Sequence, residues 1–160
     1  MRTNRVVKIL SLASLAALLG AGHPSRAQQP LKLLPISACG GYDTRQPGGP
    51  TGGLPLQSGT AYSFTFQGAS CVPYGATALA LYVIAINPTG PGNLQVYPAG
   101  TAAPNISLVT FDGPSSGALG VQVIVPLAST ATPDITVLPT VGGAAPNNVH
   151  LLIDVQGIFE

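Results

Sequence analysis

Residues 77–98, TALALYVIAINPTGPGNLQVYP, decide the fold. Successive side chains of a strand point to opposite faces, so the first half of this stretch has two apolar faces. One face carries Leu79, Leu81, Val83 and Ala85, and the other carries Ala80, Tyr82, Ile84 and Ile86. Such a run is typical of a central strand whose second face is partly covered. The Pro- and Gly-rich residues 87–92 end it, and alternation then resumes, so the stretch predicts a β-hairpin and disfavours a buried helix.

The rest of the chain repeats short alternating runs between Gly- and Pro-rich turns. The clearest half-buried strand is residues 61–67, where Tyr62, Phe64 and Phe66 alternate with polar residues. Further strands are predicted at residues 33–37, 106–111, 118–127, 135–138 and 149–159. Residues 46–58 form a Gly/Pro loop of a length typical of crossovers or binding loops. Eight or nine strands without a helical period predict an all-β fold, an antiparallel β-sandwich of Ig-like or jelly-roll-like type, or a barrel.

The N-terminus has the pattern of a secretory signal peptide. Arg2, Arg5 and Lys8 precede an apolar run at residues 9–19, and small residues follow up to Ala27. The apolar run is too short for a stable membrane span, which needs about 20 residues. We therefore expect a helical signal peptide at residues 1–27, a leader at 28–32 and one domain at 33–160. The expected location is secreted, periplasmic or at the cell surface, with an uncleaved anchor as the alternative.

Charge argues against nucleic acid as a partner. The whole chain has a net charge of +1. After cleavage at residue 27, two basic residues remain against five acidic ones, a net charge of −3. Phosphate binding needs clustered Lys and Arg, which the processed chain lacks.

The processed chain has two cysteines, Cys39 and Cys71. An even pair in an exported protein predicts one disulfide bond. Zinc is the alternative, but the two thiols and the distant His150 lack the spacing of a zinc site. We expect no metal and no cofactor; calcium at Asp112 or Asp134 is conceivable beside turn carbonyls, although such a site needs more acidic residues nearby.

The best-placed charges are Asp43, Arg45 and Asp154. They could form a ligand-binding cluster, but we favour a structural ion pair, with Arg45 on Asp43 or Asp154 tying the first segments to the last strand. His150 lacks a neighbouring nucleophile and is interpreted as a surface or edge histidine. No Gly-x-Ser-x-Gly, His-Glu-x-x-His or phosphate-loop motif is present, so we predict that the protein is not an enzyme.

The tyrosines suggest two kinds of binding surface. Tyr42, Tyr62, Tyr74, Tyr82 and Tyr97 could stack on sugars, although Tyr62 fits the core and the others fit the rims. Tyr82 and Ile84 would form an apolar strip on an outer sheet face, which is a possible docking surface for another chain. This hypothesis fails if loops of the same chain bury Tyr82.

Three segments in order, CGGYDTR, PTGPGNLQVYPAGTAAPN and IDVQGIF, resemble a family of small secreted bacterial β-sandwich domains. Members carry Asp-Thr-Arg near the start, an Asn-Pro-Thr…Gly-x-Leu-x-Val-x-Pro-Ala-Gly hairpin and an Asp-Val-x-Gly-Tyr-Phe close. The resemblance covers about residues 33–159. It implies a matching cysteine pair and occurrence as an exported protein or as an accessory module of extracellular enzymes, with no settled activity. Ile158 replaces the family aromatic, and Tyr82 and Ile84 occupy positions that are often polar.

These observations favour a non-catalytic exported module for cell-envelope or extracellular interaction, structural or adhesive. The alternatives are a carbohydrate-binding module that uses loop tyrosines and residues 46–58, and a hydrolase with an unrecognised site. The expected partner is a glycan or another envelope protein, and the sequence leaves the oligomeric state open.

Overall fold

A computed structural model describes residues 30–68, 71–128 and 133–160, and the predicted signal peptide lies outside these ranges. Residues Leu31–Glu160 form one compact unit. Its nine strands are β1 (Leu33–Asp43), β2 (Leu56–Gln57), β3 (Tyr62–Phe64), β4 (Ala78–Ile86), β5 (Pro91–Pro98), β6 (Val109–Asp112), β7 (Ala118–Pro126), β8 (Ile135–Val141) and β9 (Asn148–Phe159). A single 3₁₀ turn, Pro114–Ser116, is the only helical segment in the described ranges, and no helix there is long and apolar enough to span a membrane.

The strands form two antiparallel sheets, which confirms the predicted β-sandwich. The larger sheet has the strand order β1-β9-β4-β7, and the short β2 also pairs with β9. The smaller sheet has the order β3-β8-β5-β6. Strand β4 is central, as its two apolar faces predicted, with β9 on one side and β7 on the other.

The predicted β-hairpin at residues 77–98 is wrong, because its two arms belong to different sheets. All nine residues of β4 pair with both β7 and β9, so neither edge of β4 is left for β5. Strand β5 pairs instead with β6 and β8 in the smaller sheet. Asn87 takes a left-handed conformation with φ of 49°, and the chain turns there out of the larger sheet. The connection is an arch between sheets.

The core fills the space between the sheets. The inward residues of β4, Leu79, Leu81, Val83 and Ala85, are at most 1% exposed, and those of β9, Val149, Leu151, Ile153 and Val155, are fully buried. Phe64, Phe66 and Phe111 belong to the same cluster. Alternation thus predicted the inward faces of both central strands correctly. On β7 the residues of the inward face are less completely buried, with Leu119 38% exposed and Val121 half-buried, because β7 lies at the edge of its sheet.

Several strands differ from the prediction: β6 begins only at Val109, β8 continues to Val141, and the short β2 lies within the predicted loop at residues 46–58. Strand β1 continues through Asp43, with irregularities in its register to β9 between Pro35 and Cys39 and between Gly40 and Tyr42. Strand β3 stops at Phe64, because the N–H groups of Phe66 and Gln67 donate to the Asp134 carboxylate and not to a neighbouring strand.

The predicted disulfide joins Cys39 and Cys71, with their Cα atoms 6.5 Å apart. Cys39 lies on β1, and Cys71 lies on the connection from β3 to β4. The bond therefore links the edge strand of the larger sheet to the segment that connects the smaller sheet with the larger one. A disulfide is compatible with an oxidising compartment.

Candidate functional site

The outer face of the larger sheet carries an apolar strip made of Tyr82, Ile84 and Leu152. Ile84 on β4 lies directly opposite Leu152 on β9. All three side chains are half-buried, so loops of the same chain do not bury Tyr82. The hypothesis that Tyr82 and Ile84 form an apolar strip required that Tyr82 is not buried by the chain's own loops, and this requirement is met.

The ring of Tyr82 lies flat across the neighbouring strand. Gly120 on β7 has no side chain, and a Cβ placed there would lie 2.6 Å from the Tyr82 hydroxyl oxygen. Leu33 lies in the same way over Gly157, where a Cβ would lie 2.9 Å from its Cδ1. Glycines on two strands thus let large side chains lie down on the sheet, and the outer face is smooth.

Beyond Tyr82 the same face contains a shallow cavity of about 500 Å³. Its lining is mainly apolar, with two glutamines, and consists of Leu33, Pro35, Ala80, Leu81, Gln122, Val123, Ile124 and Gln156. The amide of Gln122 donates to the Gln156 side-chain oxygen across the sheet. Ile124 is 59% exposed and Leu33 is 49% exposed. Strip and cavity together form a largely uncharged surface.

Asp43 and Arg45 form a close ion pair. The Arg45 Nε and Nη2 atoms donate to the two Asp43 carboxylate oxygens at 2.9 and 2.7 Å, and the Arg45 backbone N–H donates as well, at 2.9 Å. These bonds hold the pKa of Asp43 well below its usual range, and the same carboxylate raises the pKa of Arg45. The partners are two residues apart and the Arg45 side chain is 45% exposed. The pair is local, so it does not tie the first segments to the last strand.

Asp154 takes no part in that ion pair, which is the only salt bridge among the described residues. It lies on β9 opposite Tyr82 of β4, whereas Leu152 is the β9 residue opposite Asp43. The prediction that Asp154 joins Asp43 and Arg45 in one ion-pair cluster is therefore wrong. Asp154 instead places one carboxylate beside the apolar strip.

His150 lies near the ion pair through its contact with Thr44. Thr44 is fully buried, and its hydroxyl accepts the Leu151 N–H at 2.9 Å and lies 3.1 Å from His150 Nδ1. Burial lowers the pKa of His150, and the positive charge of Arg45 lowers it further. The histidine is half-buried and contacts Thr44, and it lies on the central strand β9, so the prediction of an edge position is wrong.

Most of the tyrosine side chains pack against or hydrogen-bond to other parts of the domain. Tyr97 is 8% exposed, and Tyr42 packs against Phe64 and Phe66 while its hydroxyl donates to the Thr65 carbonyl. The Tyr62 hydroxyl accepts the Gln57 N–H at 2.9 Å. Tyr74 is 81% exposed but lies alone on a turn. Tyr82 is thus the tyrosine with further apolar residues beside it on an open face.

Asp134, considered from the sequence for calcium, is a buried structural carboxylate. It accepts the N–H groups of Phe66 and Gln67 at 2.6 and 2.8 Å and the Gln67 side-chain amide at 3.2 Å. Asp112 is exposed on β6. No three His, Cys, Asp or Glu side chains in the described ranges are grouped so that they could hold a metal ion.

Two features of this surface were missed from the sequence. The cavity beyond Tyr82 depends on the pairing of β1, β9, β4 and β7, and local alternation does not give strand order. The role of Asp134 depends on a contact 68 residues away along the chain. A lone Asp just before a β-rich run is the only local signal for it.

Comparison of the chain with protein-family models and with curated proteins finds no match. The family resemblance of the three quoted segments therefore stays a prediction.

Proposed function

We propose that the protein is an exported, non-catalytic module that binds another protein of the cell envelope or extracellular space through the apolar strip. The observation that carries this proposal is the open, smooth surface of Tyr82, Ile84 and Leu152, continued by the cavity beyond Tyr82. Exposed apolar residues grouped on one face of a soluble domain are characteristic of interaction sites. The signal-peptide pattern and the Cys39–Cys71 disulfide support export.

A protein partner fits this surface better than a glycan. Sugar hydroxyls need several hydrogen-bonding groups around an aromatic platform, whereas the strip offers one ring, two aliphatic side chains and the nearby Asp154. An apolar partner surface with few charges would lose little by desolvation there. Burying one large apolar side chain stabilises a complex by about 1.5–3 kcal/mol.

The test is binding of the protein to isolated envelope material of the producing organism, measured by co-sedimentation. The double variant Tyr82→Ser and Ile84→Ser is expected to bind at least about tenfold more weakly, since about 1.4 kcal/mol corresponds to tenfold in affinity. The control is Tyr74→Ser, which removes an exposed ring away from the strip and should bind like wild type. Thermal unfolding of each variant verifies that it folds. Equal binding by wild type and the folded double variant would contradict the proposal.

Carbohydrate binding is the second candidate, supported by a separate cavity of about 430 Å³. This cavity lies at the end of β1 and includes Tyr42, Asp43 and Gln46 with the glycines of the following loop. A glycan array decides between the two candidates. Specific glycan binding that Gln46→Ala abolishes and the strip variant retains would support the second. Turnover of ester, peptide or glycoside substrates would contradict both.

A further inference from the structure

Within the described ranges the two sheets have five edge strands, and they differ in how they are protected. Strands β2, β3 and β6 have two, three and four residues, which is too short to offer much pairing. Strand β1 contains Pro35 and two register irregularities, which disrupt an edge. Strand β7 has nine residues in unbroken register with β4. No charged residue lies between Asp112 and Asp134, so β7 lacks the charges that usually protect an edge.

The backbone groups on the outer side of β7 can be assigned from its pairing with β4. At the two ends of this pair, the Asn87 N–H donates to Gly117 and the Leu127 N–H donates to Thr77. Antiparallel pairs alternate, so the odd-numbered residues of β7 bond to β4 and the even-numbered ones point away. Within the described part of the chain, β7 has no second neighbour. The outward N–H groups are those of Ala118, Gly120, Gln122 and Ile124, and Pro126 has none.

The inward side chains of β7 are also incompletely covered. Leu119 is 38% exposed, and Val121 and Val123 are half-buried although they point toward the core. The facing edge strand β6 has only four residues and does not cover them. A cavity of about 310 Å³ lies here between the sheets, bordered by Val123 and Val125 of β7 and by Val96, Pro104, Ile106 and Leu108. An added strand would cover these residues.

We propose that β7 pairs with β7 of a second copy of this chain, in antiparallel orientation about a two-fold axis. A row of alternating outward N–H and C=O groups is a template for pairing with another strand. A two-fold contact also needs one self-complementary patch, which an uncharged strand provides. The register follows from the residues. When Val121 faces Val121 of the second copy, Gly120 faces Gln122 and Ala118 faces Ile124, so all four outward N–H groups of each copy are bonded.

Other registers are worse, because they bring the turn before β7 opposite an outward N–H group, or bring Pro126, which has no N–H, opposite an outward carbonyl group. In the proposed register Leu119 of one copy faces Val123 of the other, which covers the half-exposed inward side chains. The two larger sheets join into one continuous sheet. The pairing uses the edge of β7, whereas the apolar strip lies on β4 and β9, although Gln122, Val123 and Ile124 of β7 also line the cavity beyond Tyr82.

Cysteine cross-linking tests both the dimer and its register. Val121 forms a non-hydrogen-bonded pair with its copy, where Cα atoms lie about 4.5 Å apart, within disulfide range. We expect Val121→Cys to form a covalent dimer on mild oxidation. Val123→Cys is the matched control: its two copies are offset by four residues, about 13 Å, and cannot link. Equal cross-linking of the two variants, or none for Val121→Cys, overturns the proposal.

Analytical ultracentrifugation supplies a second measurement that needs no oxidation. Wild type is expected to dimerise with rising concentration, and Gln122→Pro to stay monomeric because it removes an outward N–H group without touching the bonds to β4. Gln122→Ala keeps that N–H group and should dimerise like wild type. A wild type that is monomeric up to its solubility limit overturns the proposal, as does a folded Gln122→Pro variant that dimerises normally.

Discussion

The surroundings of His150 favour its neutral form in the folded protein. The Thr44 hydroxyl accepts the Leu151 N–H and lies 3.1 Å from His150 Nδ1, and either of these two atoms can be the donor because the hydroxyl has a second lone pair. Burial of the ring and the positive charge of Arg45 both disfavour the protonated imidazole and lower the pKa of His150, against a smaller opposing effect of Asp43.

His150 is expected to make the protein less stable on mild acidification. Its folded-state pKa lies below the ordinary value of 6.5, so the unfolded chain binds the proton more readily. The contribution of His150 to the free energy of unfolding is then fully present above pH 6.5 and is lost as the pH falls below that value. We expect the free energy of unfolding, measured in urea between pH 8 and pH 5, to decline for wild type and to stay flatter for His150→Gln.

Asp43 does not interfere with this measurement, because its pKa is also lowered but from an ordinary value of 3.8. Its contribution is present above that value and is lost only in stronger acid. Parallel pH profiles of wild type and His150→Gln between pH 8 and pH 5 would show that folding does not favour the neutral ring of His150.

At the scale of elements, alternation predicted which residues form strands but not how strands pair. Leu79, Leu81 and Val83 alternate as expected and are buried, because side-chain alternation is a local property of extended backbone. The turn after Ile86 has the residues typical of a hairpin turn, but it connects strands of two different sheets and is therefore an arch. Which strands pair is decided by which strands occupy the two edges of β4. These are β7 and β9, whose residues lie far from β4 along the chain.

The start of β8 is held by Asp134, whose side chain is fully buried. Besides its carboxylate contacts, its N–H donates to Phe64 and its carbonyl accepts Ala99 and Ala128. Asp134→Ala would leave the N–H groups of Phe66 and Gln67 without their acceptor. We expect a loss of about 3 kcal/mol in the free energy of unfolding, measured by urea denaturation.

The matched control for Asp134 is Asp112→Ala, which removes an exposed carboxylate from β6. Its effect should stay within about 0.5 kcal/mol. Equal stabilities of the Asp134 and Asp112 variants would show that the buried carboxylate contributes nothing specific.

At the scale of the whole molecule, the sandwich was predictable and the binding surface only in part. Tyr82 and Ile84 were identified because an apolar outward position on a strand can be recognised from the sequence alone. Leu152, the cavity beyond Tyr82 and the open edge of β7 depend on which strands become neighbours. Of the predicted charge cluster only the pair of Arg45 with Asp43 forms, because these two residues are neighbours in the chain, whereas the position of Asp154 depends on the strand register.

The disulfide acts on the whole domain, because it links the edge strand β1 to the connection between the sheets. Cys39 and Cys71 are 32 residues apart, and closing a loop of that length restricts the unfolded chain. The chain-entropy relation gives about 3–4 kcal/mol, so Cys39→Ser with Cys71→Ser should lose that much in urea unfolding. A reducing agent should lower the stability of wild type to the same level and leave the double variant unchanged. If reduced wild type and the double variant both unfold like the oxidised protein, the cross-link adds no stability and the packed sheets alone hold the fold.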